Sequence, residues 1–70
     1  MKEKEILENL RVLLRQKRNE YIDMIDRSIN DGNENLYNYY SGKKELIDEI
    51  IAYITNQLWY TDILYKKLKQ

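Results

Sequence analysis

Seventy residues, with 12 Lys and Arg set against 12 Asp and Glu, form at most one small domain with no net field to draw in nucleic acid, membrane or an acidic partner. The chain has no Cys, which excludes disulfides and thiolate metal sites, and no His, which removes the commonest general base and metal ligand. A core of this size rarely supplies more than about 3–5 kcal/mol, and with those staples gone, association with another chain is the support that remains.

Charge is uneven along the chain. Residues 1–20 carry six bases and four acids, residues 21–49 three and seven, and residues 50–70 three and one. The start alternates Lys2, Glu3, Lys4 and Glu5, and no apolar run reaches the length of a signal core or a membrane span. The expected setting is cytoplasmic, with no membrane contact.

The first element is a predicted helix over about residues 2–29. At 100° per residue, Leu7, Leu10, Leu14, Tyr21 and Ile25 fall in one stripe roughly 60° wide, with Ile6 and Met24 on its edge. The stripe is interrupted by the polar run Arg15, Gln16, Lys17, Arg18, Asn19 and Glu20, the predicted weak point of the helix. Asn30, Asp31, Gly32 and Asn33 end it, because Gly and Asn tolerate the left-handed backbone that closes a helix. Residues 34–40 contain Leu36, Tyr37, Tyr39 and Tyr40, a pattern short enough to be either a short middle helix or an aromatic loop. Ser41 followed by Gly42 reads as a second break, with Ser41 capping the helix beyond it.

The last predicted helix covers about residues 43–68. Its broad stripe runs through Leu46, Ile47, Ile50, Ile51, Tyr53 and Ile54 and continues through Leu58, Leu64, Tyr65 and Leu68, with Gln57 and Thr61 on the centre line. The expected fold is all-α: an antiparallel helical hairpin with a short middle helix, dimerising into a four-helix bundle. Folding it so that facing positions sum to about 71 layers Leu7 on Leu64, Leu14 on Gln57 and Leu58, Tyr21 on Ile50, and Ile25 on Leu46. That register brings Lys17 and Arg18 beside Tyr53, Ile54 and Gln57, so that the polar gaps of the two helices meet at one waist.

Catalytic and metal motifs fail on inspection. Counted from Gly32, the positions an EF-hand loop reserves for its first acid and its last Glu hold Arg27 and Asn38. A P-loop ending at Gly42 and Lys43 would need Gly at 37 and Ser or Thr at 44, where the chain has Tyr37 and Lys44. Ser28 and Ser41 have no His to activate them. The carboxylate pairs Asp48 with Glu49 and Asp23 with Asp26 read as solvated helix surface. The expectation is a protein without enzymatic activity, cofactor or metal.

Three surfaces remain as candidates for contact. Lys4, Arg11, Arg15 and Arg18 lie within about 60° of one another and form a basic ridge, able to follow a phosphate backbone or to pair with Glu45, Asp48, Glu49 and Asp62. Tyr37, Tyr39 and Tyr40 form an aromatic knot that either recognises a partner or caps the hairpin core. Ala52, Asn56, Trp59 and Ile63, spaced 4, 3 and 4, make a second face nearly opposite Ile50, where Asn56 could set register in a coiled-coil contact. Trp59 on that face needs another chain, unless the middle segment folds back over it. The reading is a small protein-binding regulator, an inhibitor or adaptor acting by stoichiometric contact. The alternatives are a nucleic-acid-binding regulator with a dimeric Arg ridge, and a structural or assembly subunit.

Overall fold

One chain reversal, three residues long, organises the molecule. In the computed structural model, which describes residues 2–69, α1 is Lys2–Asn30 and α2 is Glu34–Lys69. Gly32 has φ 67°, and its N–H donates to the Ile29 carbonyl at 3.1 Å while the N–H of Asn33 donates to the Ser28 carbonyl at 2.9 Å. These two bonds are the pair that closes a helix through a left-handed Gly, and they satisfy carbonyls that α1 would otherwise leave open. Asn33 then starts α2. Its side-chain oxygen accepts from the Leu36 N–H at 3.1 Å and its carbonyl from the Tyr37 N–H at 3.0 Å. A single residue thus ends one helix and caps the next.

The cap at Asn33 corrects the expected short middle helix. Residues 34–40 are the first two turns of α2, and the helix passes through Ser41 and Gly42 without a break. Once Asn33 has nucleated the helix, Gly42 weakens it only by the modest backbone entropy of a Gly, which the flanking turns outweigh. Ser41 is not a cap, and Tyr37, Tyr39 and Tyr40 belong to a helix instead of a connector.

The earlier start of α2 also moves the register. Lys4 meets Asp62, Arg11 meets Thr55 and Arg18 meets Asp48, so facing positions sum to 66, not 71, and the fold centres on Asn33. Leu7 now lies level with Leu58 and Trp59, Leu14 with Ile51 and Ala52, and Tyr21 with Lys44 and Glu45. The polar run of α1 lies level with residues 46–51, and its Arg18 binds Asp48, so no waist forms with Gln57.

Each helix turns a three-four repeat toward the other. In α1 the inward series is Lys4, Leu7, Arg11, Leu14, Arg18 and Tyr21, continuing to Ile25 and Ser28; in α2 it is Tyr40, Lys44, Ile47, Ile51, Ile54 and Leu58, continuing to Thr61. Every one of these is buried or partly buried. This is heptad spacing, with a and d positions at the seam. Its apolar content is thin. Only Ile54 at 3% exposure and Leu58 at 6% are buried apolar side chains among the described residues. Ser28 is buried too, and its hydroxyl donates to the Met24 carbonyl at 2.7 Å; Thr61 does the same to the Gln57 carbonyl at 2.8 Å. Both small hydroxyls satisfy themselves on their own helix, leaving the seam no demand to meet.

The product is a rod of 57 × 15 × 12 Å with a radius of gyration of 16.5 Å, against about 11 Å for a compact chain of this length. Among the described residues, no helix is long and apolar enough to cross a membrane.

Candidate functional site

The basic ridge is built into the hairpin. Lys4, Arg11 and Arg18 recur every seven residues at the a position of α1, and Asp62, Thr55 and Asp48 recur every seven residues on α2, one place past its d position. Because the helices are antiparallel, the two series run against each other and meet as three polar rungs. Lys4 Nζ donates to Asp62 Oδ1 at 2.8 Å, and Arg11 Nη1 to Thr55 Oγ1 at 3.4 Å. Arg18 Nε donates to Asp48 Oδ1 at 2.6 Å, and Lys44 Nζ reaches the other oxygen of that carboxylate at 2.9 Å. The Asp62 hydrogen bond, followed by the charge behind it, raises the Lys4 ammonium above its ordinary pKa. Arg15, one place past the seam, is exposed and makes no ion pair among the described residues.

Asp48 is the best-connected of these groups. The Lys44 hydrogen bond holds its carboxyl below the usual carboxylate range; partial burial, the next largest influence, pulls the other way and is outweighed once the Arg18 hydrogen bond and the two charges are added. A carboxyl depressed in the folded state contributes stability that is present above its unfolded pKa and lost as pH falls through the folded one. Its side chain is 38% exposed, so the contribution is screened to about 1 kcal/mol or less. Thermal unfolding followed from pH 6 to pH 2.5 is expected to show a falling midpoint, with a shallower fall in Asp48→Asn. Equal slopes in the two proteins would remove Asp48 from the account.

The tyrosines split between two roles. Tyr40 packs against Tyr21 of α1 with ring centroids 6.0 Å apart, and Tyr39 meets Tyr40 edge-on at 5.1 Å. Lys43 Nζ lies 4.8 Å from the Tyr39 centroid and 5.9 Å from that of Tyr21, within reach of both ring faces. Tyr40 therefore closes the turn end of the seam, whereas Tyr37 and Tyr39 remain exposed.

Trp59 is 66% exposed. Since α2 runs straight through residues 34–40, the middle segment does not fold back over it. Ala52 and Asn56 share its exposure, and Ile63 is partly buried. The four lie at the b and f positions of α2, turned outward from α1.

A larger face was not visible as such in the sequence. The broad stripe of α2 is two stripes. Ile47, Ile51, Ile54 and Leu58 line the seam, while Leu46, Ile50, Tyr53, Tyr60 and Leu64 repeat at c and g positions and are all exposed. On α1, Ile6, Leu10, Leu13 and Met24 hold the same c and g positions and are exposed as well, with Lys17 and Glu20 between them. In an antiparallel pair the g edges of both helices lie on one side of the seam and the e edges on the other. Both apolar stripes therefore share one face, and the polar rungs mark the opposite one. The signal for this face was the heptad phase, which separates two stripes that a plain 100° projection merges.

Comparison of the chain with protein-family models, with curated proteins and with solved structures finds no match.

Proposed function

We propose that this chain is a non-enzymatic, cytoplasmic protein-binding regulator, an inhibitor or adaptor that acts by stoichiometric contact through its helical surface, and that it works as a dimer in which two hairpins make a four-helix bundle. The observation that carries this reading is the mismatch between a two-residue apolar core and the apolar side chains left on the outside. Aromatic side chains on rigid elements are good anchors for a partner, because they bring large contact area at little cost in side-chain freedom. Trp59 is such a side chain, 66% exposed at an outward position of α2.

The basic ridge supports a nucleic-acid role less well than its spacing suggests. Lys4, Arg11 and Arg18 are engaged across the seam, and of the four only Arg15 presents its charge outward. A phosphate backbone would have to compete with Asp62 for Lys4 and with Asp48 for Arg18.

The test is affinity capture from a cell extract by the immobilised protein, followed by titration of the captured partner against wild type and Trp59→Ala. Loss of about tenfold or more in affinity, with unchanged helicity, is expected of an anchor tryptophan. Unchanged affinity would place recognition elsewhere, with Tyr37 and Tyr39 next to be replaced.

A further inference from the structure

We infer that the face shared by the c and g stripes of both helices is occupied by a second copy of this chain, packed antiparallel about a two-fold axis at the level of Lys17 and Glu20. The inference rests on the dimeric reading above and adds which face is used and in which register. Three observations carry it.

The first is area. The chain exposes 5827 Å², whereas a folded monomer of its mass exposes about 4,700 Å². The excess, on the order of 1,000 Å², matches the roughly 800 Å² that each partner contributes to a stable interface. The largest concentration of apolar side chains outside the seam lies on this one face, with Leu13 at 54% and Tyr53 at 64% exposure near its middle.

The second is charge. Lys17 and Glu20 interrupt the α1 stripe at mid-height and pair with each other at 3.2 Å in the single chain. A two-fold axis between their levels brings Lys17 of one copy to Glu20 of the other and Glu20 to Lys17, so that two interhelical pairs form where a misplaced register would leave charges against apolar side chains. Polar pairs of this kind fix register at the expense of some stability.

The third is that the register set by this pair also brings several apolar positions level with one another, while Leu10 falls level with Arg27. Around that axis Leu13 lies level with the second copy's Met24. On α2 the same axis sets Leu46 and Leu36 within one residue of the levels of the second copy's Ile50 and Tyr60, with the charged Lys43 beside its Tyr53. Sliding by one heptad in either direction places Lys17 against Leu13 or against Arg27. The Trp59 side of α2 stays outside this interface, available to a target.

Sedimentation equilibrium with circular dichroism on the same samples tests this on wild type, Leu13→Glu and Trp59→Glu. Wild type is expected to be a helical dimer, Leu13→Glu to dissociate at least about a hundredfold more readily because a carboxylate would be buried against Met24, and Trp59→Glu to remain dimeric. If Leu13→Glu loses its helicity along with its mass, the register is read on Leu46→Cys, the only thiol in a chain without Cys, which lies near the axis and leaves the Lys17 and Glu20 pairs intact. A short bismaleimide then joins Leu46→Cys to its own copy in the antiparallel pair, and Trp59→Cys stays unlinked. A wild type that is monomeric at high concentration overturns the dimeric reading and this inference together. A dimer that survives Leu13→Glu but is lost in Trp59→Glu, or that links through Trp59→Cys and not Leu46→Cys, overturns this inference alone.

Discussion

Replacing Leu58 by Ala is expected to lower the unfolding free energy by about 3 kcal/mol, within the 2–5 kcal/mol range of buried Leu truncations. Leu58 is one of two buried apolar side chains among the described residues. Its layer holds Leu7 on the facing helix, flanked by the Lys4 rung on one side and by the Arg11 rung with Ile54 on the other. A cavity there has little neighbouring apolar mass to collapse into it. Since a chain of this size holds only about 3–5 kcal/mol in total, Leu58→Ala should keep only about 0–2 kcal/mol and lie close to its unfolding midpoint at 25 °C. Urea titration at fixed protein concentration measures it, because self-association would otherwise shift the midpoint. Leu68→Ala, at a side chain that is 86% exposed, serves as the control with no change beyond about 0.5 kcal/mol. A loss below about 1 kcal/mol for Leu58→Ala would mean that the seam is not where this chain keeps its stability.

Arg11→Leu is expected to act in the opposite direction, raising stability by about 2 kcal/mol. Arg11 occupies an inward position of α1, yet its Nε is buried with no hydrogen-bond partner, and its one cross-helix bond, to Thr55, is long at 3.4 Å. No carboxylate compensates its charge there. Leucine at the same position would add apolar burial next to Ile54 and Leu58 and remove the orphaned donor, and Thr55, already exposed, would turn to water. Replacing poorly compensated buried charges by apolar side chains is often stabilising. The measurement is the same urea titration. A decrease of about 1 kcal/mol or more would show that the guanidinium and its stem fill the seam better than leucine can.

Both predictions depend on a register that was only half legible in the sequence. The first helix, the Gly32 turn and the all-α hairpin are read from spacing and from the conformational freedom of Gly and Asn. What misled was punctuation. Ser41 and Gly42 look like a helix break, but a helix already capped at Asn33 absorbs one Gly, and losing that false break moved the pairing by five positions. The correct register was written in the chain twice, as Lys4, Arg11 and Arg18 and again as Asp48, Thr55 and Asp62. Each series has a step of seven, and their reversed pairing gives a constant sum. Projection at 3.6 residues per turn blurs such series, because two helices that wrap around each other follow a step of 3.5. The same blur merged the seam of α2 with its exposed c and g stripe. The Trp59 face was legible because it stands on the far side of the helix from both.

The double duty of Asn33 has a consequence for the order in which this molecule comes together and comes apart. Arg18 and Asp48 are 30 residues apart along the chain, Arg11 and Thr55 44, and Lys4 and Asp62 58. Each rung costs little once the one nearer the turn has formed, because only a short additional loop remains to be closed. The hairpin should close like a zipper from Asn33 outward, with Lys4 and Asp62 the last to engage and the first to part. The distal end is therefore the place where amide protons exchange earliest and where an invading helix would find a seam already half open.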